Sequence, residues 1–251
     1  MERYLWIVAA VVIAVCARAH AADGAYKLYF GNIHSHTSFS DGEGVPADAF
    51  EMARNVAGLD FWAVTDHAEQ IDMAPGAPPR KEWDVTVETA QEMTTPGKFV
   101  AIAGFEWSAD PWQGHMNALF SDEFAAYSQA INLKRFYKWL YAHPDALAGF
   151  NHPSDCAPVG CKHFDDMRYV PRIASQTFYV AVNKPEDFRY FYAALDNGWR
   201  VGPVAEQDNH GRDWGVHRTG NLMGVYANEL TRTGIIEAFA ARRFYTMNDR
   251  A

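Results

Sequence analysis

The chain has 251 residues, 49% of them hydrophobic and 21% charged, with a formal net charge of -9 at pH 7. That composition supports one sizeable folded domain and excludes a disordered or low-complexity chain. The acidic balance argues against bulk nucleic-acid binding but leaves a small anionic substrate open, because bound metal ions would dominate the local field.

Residues 1–21 stand apart from the rest. Tyr4 to Val15 is an apolar run too short to span a bilayer comfortably, and Ala19-His20-Ala21 follows as a small-x-small cleavage pattern. The segment reads as a secretory signal peptide, with an uncleaved anchor as the alternative. Residues 22–251 then form an exported domain, periplasmic or secreted, free of the membrane after cleavage. Losing Glu2, Arg3 and Arg18 takes the formal charge from -9 to -10. Cys156 and Cys161 remain, and in an oxidising compartment this short loop is expected to close as a disulfide, with two free thiols as the alternative.

Strands alternate with helices along the chain. A strand-like run, Tyr26 to Ile33, leads into Gly31-Asn32-Ile33-His34-Ser35-His36. A helix from Pro46 to Ala57 follows, with Pro in its first turn, Gly58 past its end and Phe50, Ala53 and Ala57 facing in. Leu59 to Thr65 is the next strand and ends in Thr65-Asp66-His67. Ala74 to Arg80 is a Pro- and Gly-rich loop. Trp83 to Met93 reads as a helix, and Lys98 to Phe105 as a strand ending in Glu106-Trp107-Ser108. After a turn at Asp110 to Gly114, His115 to Phe120 is a short strand. Leu133, Phe136, Tyr137 and Leu140 share a helix face. Leu147 to Phe150 runs into Asn151-His152-Pro153, and Thr177 to Val182 is another strand. Pro185 opens a helix whose inward side is read as Phe188, Phe191, Tyr192 and Leu195, with Gly198 as its stop. Arg200 to Ala205 leads to Asp208-Asn209-His210. Leu222 to Ala227 is the eighth strand, and a helix from Ile235 to Ala241 follows. Eight strands alternating with helices predict parallel βα units.

Polar residues gather just after the strands, the end of a βα barrel at which chemistry sits. Two histidines one residue apart at a strand end face the same way. With their counterparts at the other strand ends they make nine candidate ligands: His34, His36, Asp41, His67, Glu106, His115, His152, Asp208 and His210. Imidazole and carboxylate donors suit Zn, Mn or Fe, and nine exceed the needs of one ion. Taken singly, each has a plain alternative: a capped helix start for His67, a surface carboxylate for Glu106.

In this order, His34-x-His36, Asp41, Thr65-Asp66-His67, Glu106, His115, Asn151-His152-Pro153 and Asp208-x-His210 resemble the metal motifs of the PHP (polymerase and histidinol phosphatase) superfamily. The wording around Gly31 to His36 and around Gly104-Phe105-Glu106-Trp107-Ser108 is most similar to its CehA/McbA-like branch, over roughly residues 27–249. The resemblance implies a distorted (β/α)7 TIM-like barrel with two or three divalent ions (Zn, Mn or Fe) at its C-terminal rim. One ion would take His34, His36, Glu106 and Asp208; a second would share Glu106 and add His115 and His152; a third would take Asp41, His67 and His210. Asp41 is the least secure match, since that position varies within the superfamily. Relatives in this branch often continue into further β structure. Amidohydrolases also open with His-x-His, but they bridge their metals with a carbamylated Lys and end in a lone Asp. Here Glu106 takes the bridging slot and His210 follows Asp208.

The expected reaction is metal-dependent hydrolysis of a phosphoester in a small molecule, by a metal-bridged hydroxide. Glu106 and Asp208 would hold the catalytic ions, and His67 or His210, besides ligation, could protonate the leaving group. A carbamate or carbonyl-ester hydrolase, or a non-catalytic metal-binding protein, is the alternative from the same residues. Arg212 and Arg218 are candidate phosphate contacts, each with a surface ion pair as its alternative. Trp107 and Trp112 wall the pocket or belong to core and rim. His143, His163 and His217 are not expected to ligate metal, with His163 and His217 as candidate pocket residues.

Overall fold

The described residues of the computed structural model are 25–71, 81–110, 112–155, 163–216 and 220–247. The segment read as a signal peptide, the loop Ala74 to Arg80, the Cys156 and Cys161 pair, His217 and Arg218 lie outside them. No helix among the described residues is long and apolar enough to cross a membrane.

Runs rich in branched and aromatic residues become strands, and the amphipathic stretches between them become helices. In chain order these are β1 (Lys27–Asn32), α1 (Pro46–Glu51), β2 (Phe61–Val64), α2 (Ala68–Ile71), α3 (Lys81–Met93), β3 (Val100–Trp107), β4 (His115–Leu119), α4 (Leu133–Ala142) and β5 (Leu147–Asn151). There follow α5 (Phe164–Met167, a single left-handed turn), β6 (Thr177–Ala181), α6 (Phe188–Asp196), β7 (Gly202–Val204), β8 (Leu222–Ala227), α7 (Arg232–Ala240) and β9 (Phe244–Met247). The helix predicted over Pro46 to Ala57 is α1 continued as a π-helical turn, Met52–Val56. Gly58, at φ +62°, ends it.

The strands form one sheet in the order β7-β6-β5-β4-β3-β2-β1-β8-β9, curled into a nearly closed barrel. A Cβ on Gly202 of β7 would lie 2.7 Å from the Phe244 ring of β9, so the two edges meet through side chains. Arg242 reinforces the seam by donating to the carbonyls of Arg200 and Thr177.

The expectation of eight strands in parallel βα units needs correction. The described residues form nine, and β4 and β8 run against their neighbours. The turn between β3 and β4 is too short for a crossover helix, so β4 must return antiparallel. Strand β9 was not anticipated, because four half-buried residues carry little alternation. The seven remaining strands share one direction, and the distorted (β/α)7 expectation holds for the architecture.

Side-chain alternation divides the molecule into two apolar layers. Residues on the outer face, such as Trp62, Val64, Ala101 and Phe105, pack under the helices. Residues on the inner face, including Phe61, Ala63, Val100, Ile102, Leu119 and Leu147, meet Phe178, Val225 and Phe239 inside the barrel. Following the inner positions of β3 upward gives Val100, Ile102, Gly104 and then Glu106. The antiparallel β4 reads the other way, from His115 through Asn117 to Leu119. The lumen is therefore apolar at its floor and polar at its rim.

The inward side predicted for α6 is also corrected. Phe188, Tyr192 and Leu195 are exposed, whereas Ala194 is buried and Tyr190 and Phe191 are partly covered. The buried Asp187 sets the rotation. Its carboxylate accepts from the backbone N–H groups of Asn183, Lys184 and Ser154 and from the Ser154 hydroxyl. That anchorage turns the 187–190–191–194 side toward the barrel, against the pull of the larger apolar stripe.

Candidate metal centre

Each strand delivers its polar residue to the rim in its own way. The chain bends at Ile33, just past β1, so that Ser35 points outward, accepting from Trp62 Nε1 at 2.9 Å, while His34 and His36 point in. The His36 N–H donates to the Asn209 carbonyl at 2.8 Å, which brings Asp208 and His210 alongside. The buried Asp66 carboxylate ties down the next turn through the Thr37 N–H and hydroxyl, both at 2.7 Å, and the Ser40 hydroxyl at 2.6 Å. Asp41 is thereby presented over the site. His67 follows β2, and an isolated parallel bridge pairs it with Glu106 on β3. His115 opens β4 opposite Asn151. His152, at φ +23°, and Asp208, at φ +47°, both occupy the left-handed region that side chains rarely adopt, a local strain of the kind that gathers at functional sites.

All nine candidate ligands converge. His34 Nε2 lies 3.2 Å from His36 Nε2, 3.4 Å from Glu106 Oε1 and 3.3 Å from Asp208 Oδ1. His36 Nε2 lies 3.5 Å from Glu106 Oε2 and 3.1 Å from Asp208 Oδ1. The same Glu106 Oε1 is 3.4 Å from His115 Nδ1 and 3.1 Å from His152 Nε2, while Oε2 is 3.2 Å from His67 Nδ1. Asp41 Oδ1 reaches His210 Nε2 at 3.3 Å and His67 Nε2 at 3.7 Å. Ligands about 2.1 Å from a tetrahedral ion stand roughly 3.4 Å from one another, which matches this spacing. Four sets of donor atoms are each compact enough for one ion: His34, His36 and Glu106; Glu106, His115 and His152; His34, His152 and Asp208; and His36, Asp41, His67 and His210. His36 thus joins the outer set as well as the inner one. His115 Nδ1 and Asp208 Oδ1 are buried without a hydrogen-bond partner among the described residues, a state divalent ions would relieve. The donor set fits such ions in spacing and in chemistry.

Charge is balanced tightly. Burial opposes ionisation of Glu106 and Asp208, yet the surrounding histidines outweigh it. His34, His115 and His67 hold Glu106, and His34 and His36 hold Asp208, well below the usual carboxylate range. Burial likewise opposes a charged His34, but Glu206, Glu106 and Asp208 hold it well above its ordinary value. His152 is pushed up to about 9, burial being overcome by its hydrogen bond to Glu106 and the nearby carboxylates. Burial carries His67 the other way, downward. The site demands positive charge at its centre.

A second set of residues, to which the sequence assigned no role, holds the donors in place. Asn151 Nδ2 donates to Glu106 Oε1 at 2.7 Å and to Asn117 Oδ1 at 2.9 Å, and Asn151 Oδ1 accepts from the Tyr179 hydroxyl at 2.5 Å. Gly149 makes room for that ring, which any Cβ there would overlap. Ser108 bridges His67 Nδ1, at 2.7 Å, and the Glu69 carboxylate. Glu206 is fully buried, with Oε2 3.1 Å from His34 Nδ1. The hint for Asn151 lay in Asn151-His152-Pro153; nothing in the sequence marked Glu206 beyond its place two residues before Asp208.

Of the remaining candidates, Arg212 is exposed, with its guanidinium 3.9 Å from Glu43 and 3.6 Å from Asp48. Trp107 is a core residue, stacked on Phe136 with its indole donating to the Ala130 carbonyl. Trp112 is exposed at the rim. His143 stacks on Trp139, away from the donors, and the buried His163 hydrogen-bonds the Pro153 carbonyl.

Fold and site together define a barrel of mixed α/β type whose rim carries donor groups spaced as metal ligands are. Residues 72–141 match the profile of a protein family of unknown function, DUF3604. A search of curated proteins finds no match. Among solved structures, the chain is similar to a two-domain protein containing a predicted PHP-like metal-dependent phosphoesterase from Bacteroides vulgatus, with a TM-score of 0.66 and 22% identity over 92% of this chain. It spans 67% of that protein. It is also similar to an endonuclease Q solved with a 27-mer duplex carrying an abasic lesion at the active site, with a TM-score of 0.50 and 12% identity, over 86% of this chain and 57% of that one. The fold is thus the PHP-like barrel that the ordered motifs implied.

Proposed function

We propose that this protein is a metal-dependent phosphoesterase of the PHP superfamily, in its CehA/McbA-like branch, acting on a small molecule. The observation that carries the reading is the ring of donors spaced 3.1 to 3.5 Å apart around Glu106 and Asp208 at the C-terminal rim. The likeness to a predicted PHP-like phosphoesterase supports the same reaction class.

His34, His36, Glu106 and Asp208 would hold one ion, Glu106, His115 and His152 a second, and Asp41, His67 and His210, with His36 beside them, a third. Such ions act as Lewis acids and lower the pKa of a coordinated water from about 15.7 toward about 7. Glu106 Oε1 faces His34, His115 and His152 and Oε2 faces His36 and His67, so this one carboxylate would be shared between donor sets. Its carboxylate is held ionised by the histidines around it, so it needs no deprotonation on loading. His210 and Asp41 are the most exposed donors and line the approach to the site. Besides ligation, His67, held through Nδ1 by Ser108 beside Glu69, or the more exposed His210 would supply the proton to a departing oxygen. Arg212 reaches an anionic substrate only by giving up Glu43 and Asp48.

The test begins with metal content by mass spectrometry on protein purified without added metal, beside a His34→Ala, His36→Ala double variant. Two or three equivalents of Zn, Mn or Fe in the parent, and clear loss in the variant, are expected. Phosphomonoester, phosphodiester and carbamate substrates are then screened with that metal. A folded parent that holds only trace metal and takes up none when Zn or Mn is added would sink the reading.

A further inference from the structure

Glu206 sits beneath the cluster with its backbone pinned on both sides: its N–H donates to Asn183 Oδ1 at 2.9 Å and its carbonyl accepts from Asn221 Nδ2 at 2.9 Å. Its carboxylate is fully buried and points at two different histidines. Oε1 accepts the His152 backbone N–H at 3.1 Å, the residue whose φ of +23° needs an external hold. Oε2 lies 3.1 Å from His34 Nδ1, and neither atom has any other hydrogen-bond partner among the described residues. The His34 and His152 rings stack at 5.7 Å between them.

We propose that Glu206 is a positioning residue that fixes the His34 tautomer and couples two of the proposed metal subsites. Two facing orphans are both satisfied when the imidazole proton lies on Nδ1 and is donated to Oε2. The lone pair is then left on Nε2, the nitrogen that faces His36, Glu106 and Asp208. A carboxylate behind a ligating histidine sets ring orientation and raises ligand basicity, and its loss costs about 10- to 100-fold in metal affinity. Through Oε1 the same residue holds His152, which belongs to the second proposed ion. One buried side chain therefore serves both. The inference rests on the metal-cluster reading above.

The substitution Glu206→Gln distinguishes this role from a merely structural one. Gln keeps the shape of Glu. With its carbonyl turned to the His152 N–H, its amide NH2 donates to His34 Nδ1 and forces the imidazole proton onto Nε2, where it blocks ligation. With the amide reversed, NH2 opposes the His152 N–H. Glu206→Ala leaves His34 free to choose its tautomer. Zinc titration of the full chain, read by calorimetry and by bound metal, is expected to show Gln weakened about 10- to 100-fold and more than Ala. A packing role predicts the opposite order, since Gln fills the space and Ala does not. Nitrogen-15 spectra of the zinc-loaded parent supply a second readout that needs no variant to fold: His34 should carry its proton on Nδ1 and zinc on Nε2. A parent that takes up neither zinc nor manganese overturns the cluster itself, and where manganese alone binds, the same titration is run with it. A zinc-binding parent matched by its Gln variant, an Ala variant weaker than Gln, or a His34 protonated on Nε2 overturns the Glu206 assignment alone.

Discussion

The floor and the rim of the barrel use the same inner strand positions for opposite ends. On β3, Val100 and Ile102 at the floor and Glu106 at the rim lie on one face, a few residues apart. The floor satisfies itself through dispersion and loss of apolar surface, so volume matters and direction does not. The rim buries charged and polar atoms whose cost is met only when every donor meets an acceptor or an ion. Tolerance should therefore differ between the two regions in kind.

Breaking the comparison at its strongest point means exchanging their failures. Glu106→Ala should abolish uptake of at least two ions and lower any hydrolytic rate by more than the roughly 10²- to 10³-fold that follows loss of a single transition-state charge contact, while the far-ultraviolet circular dichroism spectrum stays that of the parent. Phe178→Ala at the floor should do the reverse. The ring stacks on Phe239, and its loss should cost about 3–5 kcal/mol of stability in denaturant titration, with metal per folded molecule unchanged. If Phe178→Ala strips metal at temperatures where the chain is folded, floor and rim are not separable.

Gly149→Ala probes the boundary. The new methyl displaces Tyr179, which holds Asn151 and through it Glu106. A stability loss of about 1–3 kcal/mol should come with weaker metal binding, and Tyr179→Phe should reproduce the second effect with less of the first.

The response to pH sharpens the same contrast. In metal-free protein the folded-state pKa of His152 is raised to about 9. Its contribution is full below the unfolded value of about 6.5 and is lost as pH rises through 9. Melting temperature should therefore fall across that window without metal and stay level with zinc bound. A floor variant should lower both curves in parallel. The smallest effect is expected from Arg212→Ala, whose exposed ion pairs contribute about 0–1 kcal/mol. A rise in KM with stability unchanged would place the guanidinium on substrate.

Much of the site was legible because ligand chemistry is a property of residue type. His34-x-His36, Glu106, His115, His152 and Asp208-x-His210 follow predicted strands, and all converge. The supporting residues were not legible. Glu206 and Ser108 gain their roles from partners 172 and 41 residues away in the chain, distances that no local pattern encodes. Trp107 shows the same limit: next to a ligand in sequence, it points away from it because successive strand residues face opposite sides.

By itself, then, the sequence determined which donors are available, where the strands run and which helical stretches are amphipathic, since side-chain chemistry and periodicities of 2 and 3.6 residues are local. The tertiary structure alone decided that β4 and β8 run antiparallel, that β9 closes the barrel against β7, that Asp187 turns the larger apolar stripe of α6 outward, and that Glu206 lies behind His34. Those outcomes depend on which hydrogen-bonding groups meet once the chain has closed on itself, and burial makes the cost of leaving any one of them unmet exceed the preference of a single helix or strand.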